Sequence, residues 1–180
     1  MSRMLAGIAP WLLLVGCASS PEVYTDRDAG TDFAGYSRYA WREEPATRSP
    51  LVRQRLVSGI DAQLQAKGWR KVSEPEAEAV LAVHVASHDE QTIDTFYGDP
   101  AWVGWNWHGV QGVGGGHATT RVTTYKVGTL VIDMFDARSQ RAIWRATAEG
   151  TVPETPEKIN AAIDATIPRM FVGFPPPKED

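Results

Sequence analysis

Two runs rich in β-branched and aromatic residues, Thr119–Phe135 and Arg141–Val152, face each other across the polar pentapeptide Asp136-Ala137-Arg138-Ser139-Gln140. Such side chains suit a pleated, half-buried surface, and a five-residue polar connection lets the second run return beside the first. The chain must therefore be built around an antiparallel hairpin. Gly128, in the middle of the first run, marks a bulge or a crowded spot. A third strand is read over Val80–His88, where Leu81, Val83 and Val85 alternate with Ala82, His84 and Ala86. Shorter strands are expected at Val23-Tyr24 and over Tyr36–Trp41, separated by the turn formers Asp26, Asp28, Gly30 and Asp32 and able to pair with each other.

Two helices accompany the strands. Ser49-Pro50 supplies an N-cap followed by a proline at the first helical position, where the missing N–H costs nothing. From Pro50 to Lys67 the apolar residues Val52, Leu56, Ile60 and Leu64, with Leu51 and Val57 beside them, recur at three- and four-residue spacing, and Gly68 is placed to stop the helix. Thr155-Pro156 repeats the device and opens a helix with Ile159, Ile163 and Ile167 on one side, which Pro168 should end or kink. Phe174 can dock before the final prolines. About five strands with mainly antiparallel links and two amphipathic helices predict an α+β fold, a single two-layer domain with both helices packed on one face of the sheet.

The first residues belong to something else. Arg3 precedes an apolar run, Leu5–Val15, that is too short to cross a bilayer of roughly 30 Å as a helix and reads as a secretion signal. It ends in Leu14-Val15-Gly16-Cys17, which resembles the lipobox of bacterial lipoproteins. Small Gly16 gives a peptidase access to the Gly16–Cys17 bond, and the thiol is the nucleophile that would take up diacylglycerol. An ordinary signal peptide or a buried strand with an incidental cysteine is the plainer reading. The expected organisation is a removed leader over 1–16, a lipidated cysteine with a short tether over 17–21, and one domain over 22–180. Ala18, where lipoprotein sorting would take aspartate as a retention signal, favours the outer membrane in a diderm cell.

Composition narrows the function classes. The formal charge is -4, and loss of the leader removes Arg3, leaving 17 basic against 22 acidic side chains, a balance that repels nucleic acid. Cys17 is the sole cysteine, which excludes an internal disulfide framework and a cysteine-based zinc site. No cofactor is expected.

Further motifs carry a resemblance. Asp32-Phe33 with Tyr36 and Tyr39-Ala40-Trp41, Ile60-Asp61 with Leu64 and Lys67-Gly68-Trp69, Gly128–Asp133, Ile143-Trp144-Arg145-Ala146 with Gly150-Thr151-Val152, Ile159–Ala162 and Phe174-Pro175-Pro176 stand in that order. Together they resemble the bacterial lipoprotein family known as domain of unknown function 4136, over nearly all of the mature chain. The resemblance implies an extracytoplasmic α+β domain and supplies no catalytic residue or substrate.

The segment 96–118 is the unusual one: Trp102, Trp105 and Trp107 are set among seven glycines. Exposed tryptophans suit protein contacts and membrane interfaces, because the ring is apolar while its N–H stays wet. The plainer alternative is a long hairpin connection whose aromatics fold back on the sheet. His84 and His88 share a strand face at roughly 13 Å, too far apart for one metal ion, and only folding of the loop would bring His108 or His117 to them. Gly112 and Gly114–Gly116 lack the lysine and hydroxyl residue of a nucleotide loop. No serine sits in a nucleophile elbow, Asp133 and Asp136 read as strand-end and turn residues, and Asp61 and Arg145 are candidates to pair between layers or to face water. The expectation is a non-enzymatic, lipid-anchored envelope module that contacts the membrane through its lipid and an envelope protein through a sheet edge or the tryptophans. A periplasmic carrier of an apolar small molecule, with a cavity between the layers, is the alternative.

Overall fold

The computed structural model describes residues 20–97 and 118–176. The sheet has six strands: β1 (Glu22–Arg27), β2 (Arg38–Glu43), β3 (Arg70–Lys71), β4 (Ala79–Tyr97), β5 (Ala118–Asp136) and β6 (Ala142–Thr151), in the order β1-β6-β5-β4-β2-β3. Two helices, α1 (Pro50–Ala66) and α2 (Pro156–Met170), complete the α+β fold. The strand beyond the expected five is β3, whose two residues leave no periodicity to read.

The β5–β6 hairpin forms as its composition demands. Asp136 closes the turn: its Oδ1 accepts from the Ser139 amide at 2.6 Å, and its own amide donates to the Arg141 carbonyl. Gly128 is a crowded spot and not a bulge. A Cβ there would stand 2.6 Å from the Val152 side chain, while the register shift falls at Met134/Phe135.

The two N-terminal strands, short runs that could have paired, do not pair with each other. β1 runs antiparallel along β6, with Asp26 inside the strand, whereas β2 lies parallel to both β4 and β3 at the far side of the sheet. The physical reason is the connection. Parallel neighbours need a long crossover, and α1 supplies it between β2 and β3.

Both helices begin as the residues dictate: Ser49 Oγ accepts from the Val52 amide, and Thr155 Oγ1 from the Lys158 amide. Gly68, at φ 84°, follows the end of α1 in the left-handed region that glycine enters without strain. α1 buries Leu56, Ile60 and Leu64, α2 buries Thr166, Ile167 and Met170, and Leu51 faces water instead of joining the stripe. Pro168 does not end α2, which continues to Met170. The helices approach closely at Gly59, where a Cβ would lie 2.8 Å from Ile167 Cδ1. Their apolar sides share one core with Tyr39, Leu81, Val83, Ile132, Met134, Trp144 and Ala146, all from one face of the sheet. Phe174 docks against Phe33, Trp69, Trp144 and Phe171, with ring centroids 4.8 to 5.9 Å away.

Candidate interaction surface

Among the described residues no buried side-chain nitrogen or oxygen lacks a hydrogen-bond partner. Asp61 on α1 is a hub: Oδ1 accepts from the Tyr39 hydroxyl and the Trp41 indole N–H, each at 2.8 Å, and Oδ2 accepts from Lys71 Nζ at 3.0 Å. Burial, and then the hydrogen bond to Asp61, push the Tyr39 phenol up, so it remains a donor. Asp61 does not meet Arg145, which lies in the sheet and binds Asp133 of β5 through two hydrogen bonds of 2.5 and 2.9 Å. Of the two alternatives read from sequence, pairing between layers or facing water, neither describes these residues: each has its own partners. Asp133 is no strand-end residue either: it is 3% exposed, on the face away from the helices and opposite Ala82 and Arg145.

Glu78 joins the start of β4 to the start of β2. Its Oε2 accepts from the Ser37 and Arg38 amides at 2.8 and 3.0 Å, and its Oε1 from the Arg38 guanidinium at 2.9 and 3.1 Å. The Ser37 amide, followed by the Arg38 side chain, holds its pKa down at about 2, against 4.5 for a free glutamate. A depressed folded-state pKa contributes stability that is fully present above the unfolded value and is lost as pH falls toward the folded one. Glu78→Gln should therefore flatten the loss of stability between pH 4.5 and about 2, as measured by denaturant midpoints across that range. Equal acid limbs in both proteins would contradict the assignment. On the same edge Tyr36 donates to Asp136 at 2.8 Å, and burial followed by that bond pushes its phenol up to about 12.

What distinguishes the molecule is the reach of β4 and β5. Each is 19 residues long, and they stay paired from Ala79↔Asp136 to Tyr97↔Ala118 without a register shift. β2 leaves β4 at Ala82, and β6 leaves β5 at Val127. Beyond these points the pairs from Asp89↔Lys126 to Tyr97↔Ala118 have no further strand beside them among the described residues. This two-stranded ribbon extends roughly 30 Å from the domain at the rise of a β-strand. Ile93 and Val122, 65% and 54% exposed, stand opposite each other on it. The strand expected to end at His88 thus continues for nine residues. Thr92, Ile93, Thr95, Phe96 and Tyr97 carry the β-forming signal for that extension, and Thr119–Thr124 match it across the ladder.

The residues singled out from sequence fall into two groups. Gly16 and Cys17, and likewise Trp102, Trp105, Trp107, His108 and His117, lie outside the described residues. The tryptophans belong to the segment that joins the far ends of β4 and β5. His84 and His88 are exposed on β4, and His84 Nδ1 lies 3.7 Å from Glu43. Among the described residues no group of three or more His, Cys, Asp or Glu is arranged to hold a metal ion, and no helix is long and apolar enough to cross a membrane. A surface groove of about 540 Å³ lies beside Trp69 at the C-terminal end of α1, and another of about 240 Å³ lies along α1 beside Asp61.

Comparison with known proteins agrees with this architecture. The sequence profile of the domain of unknown function DUF4136 matches residues 23–176. A PDZ domain protein from Parabacteroides distasonis shares the fold at TM-score 0.52 and 13% identity over 89% of this chain, which spans only 37% of that longer protein. A DUF4136 family protein from Bacteroides thetaiotaomicron matches at TM-score 0.52 and 15% identity, over 88% of this chain and 97% of its own. No curated protein matches the sequence.

Proposed function

The chain belongs to the DUF4136 family, and from that membership we propose that it serves as a lipid-anchored, non-enzymatic module of a bacterial cell envelope, cleaved before Cys17 and acylated on its sulfur. The projecting β4–β5 ribbon is the observation that carries the interaction role: an isolated two-stranded hairpin is marginal in water, so one this long is built to be covered. Trp102, Trp105 and Trp107, in the segment that the ribbon carries, have the residue type that anchors protein contacts or sits at a membrane interface. Two or three acyl chains at Cys17 hold a protein to a bilayer stably, where one chain of about 0.8 kcal/mol per buried methylene would do so only marginally. Ala18 favours an outer-membrane address facing the periplasm in a diderm cell.

Support for a non-enzymatic role comes from the polar groups, since Asp61, Glu78 and Asp133 are each engaged by donors of the fold itself. A carrier of apolar small molecules is less well supported, because the two grooves lie at the surface and α1 and α2 pack directly on the sheet.

The test combines two variants of the full chain in its native envelope. Cys17→Ser should shift the protein from the sedimenting to the soluble fraction. Joint replacement of Trp102, Trp105 and Trp107 by alanine should leave thermal stability unchanged while removing the proteins recovered by crosslinking. A large stability loss with the same crosslinked partners would place the tryptophans in the domain's own packing and overturn the role given to them.

A further inference from the structure

Toward its N-terminus the chain leaves the sheet at the same end as the ribbon. β1 is antiparallel to β6, β6 to β5 and β5 to β4, so moving back along β1 from Glu22 follows β4 toward Tyr97. Glu22 stands level with Glu149, Thr129 and Ala86, at the root of the ribbon. Gly150 fixes the exit one residue further: a Cβ there would lie 3.1 Å from Pro21 Cα, so the missing side chain lets Pro21 lie against β6. Neighbouring strands twist by about 20–25°, which from β1 through β6 and β5 to β4 turns the ribbon by less than a right angle and does not reverse it. Length then decides what the ribbon meets. Gly150 is level with Gly128 and Ser87, and from Ser87 to Tyr97 the ribbon runs roughly 33 Å at the rise of a strand. Fully extended, the chain from Pro21 back to Cys17 spans at most about 14 Å. The ribbon thus outreaches the sulfur of Cys17 by about 19 Å.

We propose that the β4–β5 ribbon lies along the headgroup layer of the same bilayer that holds the lipid on Cys17. The inference rests on the lipid anchor and the interaction role proposed above, and it names the ribbon's partner as a lipid surface. Charge agrees with this placement. Near the root, Asp89 and Lys126 lie 3.5 Å apart and Asp94 stands opposite Arg121, so most of the ribbon's charge is compensated within it. Beyond Asp94↔Arg121 the pairs from Thr95↔Thr120 to Tyr97↔Ala118 contain no charged residue, and the sequence 98–117 adds only Asp99. The stretch that would be brought to the lipid is therefore the one with least charge to desolvate. Ile93 and Val122, exposed opposite each other on the way to that end, supply apolar surface. The open edges set the depth. Unpaired backbone groups find no partner in hydrocarbon, whereas water and lipid oxygens satisfy them in the headgroup layer. A ribbon longer than the tether must then tilt along the surface instead of piercing it.

Acylation consumes the thiol of Cys17, the sole cysteine, so a cysteine placed elsewhere is the only thiol of the mature chain. The experiment uses the full lipidated chain carrying Ile93→Cys, Val122→Cys or Arg138→Cys, each labelled with an environment-sensitive fluorophore. Arg138 is exposed in the β5–β6 turn, at the opposite end of the sheet from the ribbon. The proteins are reconstituted into vesicles of phosphatidylethanolamine and phosphatidylglycerol that contain a nitroxide lipid. A nitroxide on the headgroup should quench the labels at 93 and 122 and spare the one at 138, and a nitroxide at the middle of the acyl chain should quench them less. Labels at 93 and 122 as bright as that at 138, in protein that sediments with the vesicles, would overturn the proposal, leave the lipid anchor standing and assign the ribbon to a protein partner. Equal quenching at all three positions would overturn the orientation, and stronger quenching from mid-chain would overturn the placement in the headgroup layer. Protein that fails to sediment with the vesicles would remove the anchor and this inference together.

Discussion

Phe174→Ala is expected to lower the unfolding free energy by about 3–5 kcal/mol, the range for truncating a buried phenylalanine. Phe174 is 3% exposed and is surrounded by the rings of Phe33, Trp69, Trp144 and Phe171, with edge-to-face geometry to Phe33 and Phe171. These rings come from the segment before β2, the turn after α1, strand β6 and the end of α2, so one side chain closes the core against four parts of the chain. A domain of this size has about 5–15 kcal/mol in total, and the substitution should lower Tm by roughly 6–20 °C. Thermal and urea unfolding measure it. A loss below about 1 kcal/mol would mean that the C-terminal segment does not pack as described.

The second large effect concerns charge. Arg145→Met removes the guanidinium from Asp133, whose side chain is 5% exposed while the arginine side chain is 59% exposed. The two partners are not equivalent. Arg145 reaches water along its length, but Asp133 would be left buried between Ala82 and position 145 without its donors. Breaking a buried pair from one side costs about 3–5 kcal/mol, with the lower end expected here because the arginine is itself well solvated. Asp133→Asn combined with Arg145→Met removes the orphaned charge and should recover much of the loss. A double variant as unstable as Arg145→Met alone would show that the packing of the arginine stem, and not the stranded carboxylate, sets the cost.

Local chemistry made much of this fold readable. The helix starts at Ser49-Pro50 and Thr155-Pro156, the stop at Gly68 and the β5–β6 hairpin are decided by residues within a few positions of one another. Neighbour choice in the sheet is not local. Nothing in the periodicity of Glu22–Arg27 says that it borders β6 and not β2, because the outcome depends on where α1 carries the chain. β3 is fixed by its pairing with β2 alone. Asp61 was visible as a break in the stripe of α1, but its donors Tyr39, Trp41 and Lys71 come together only once β2 and β3 are side by side. The ribbon escaped because Asp89, Glu90 and Gln91 interrupt the apolar alternation of β4. In a ribbon exposed on both faces no alternation is required, and cross-strand pairing alone defines the strand.

The lipid anchor proposed for Cys17 would hold this domain on a membrane surface by one sulfur. Intact-mass and N-terminal peptide analysis of the chain extracted from its native envelope measures this most directly. The expected protein starts at Cys17, lacks residues 1–16 and carries diacylglycerol in thioether linkage. A chain that starts elsewhere, or one with a free Cys17 thiol, would contradict it.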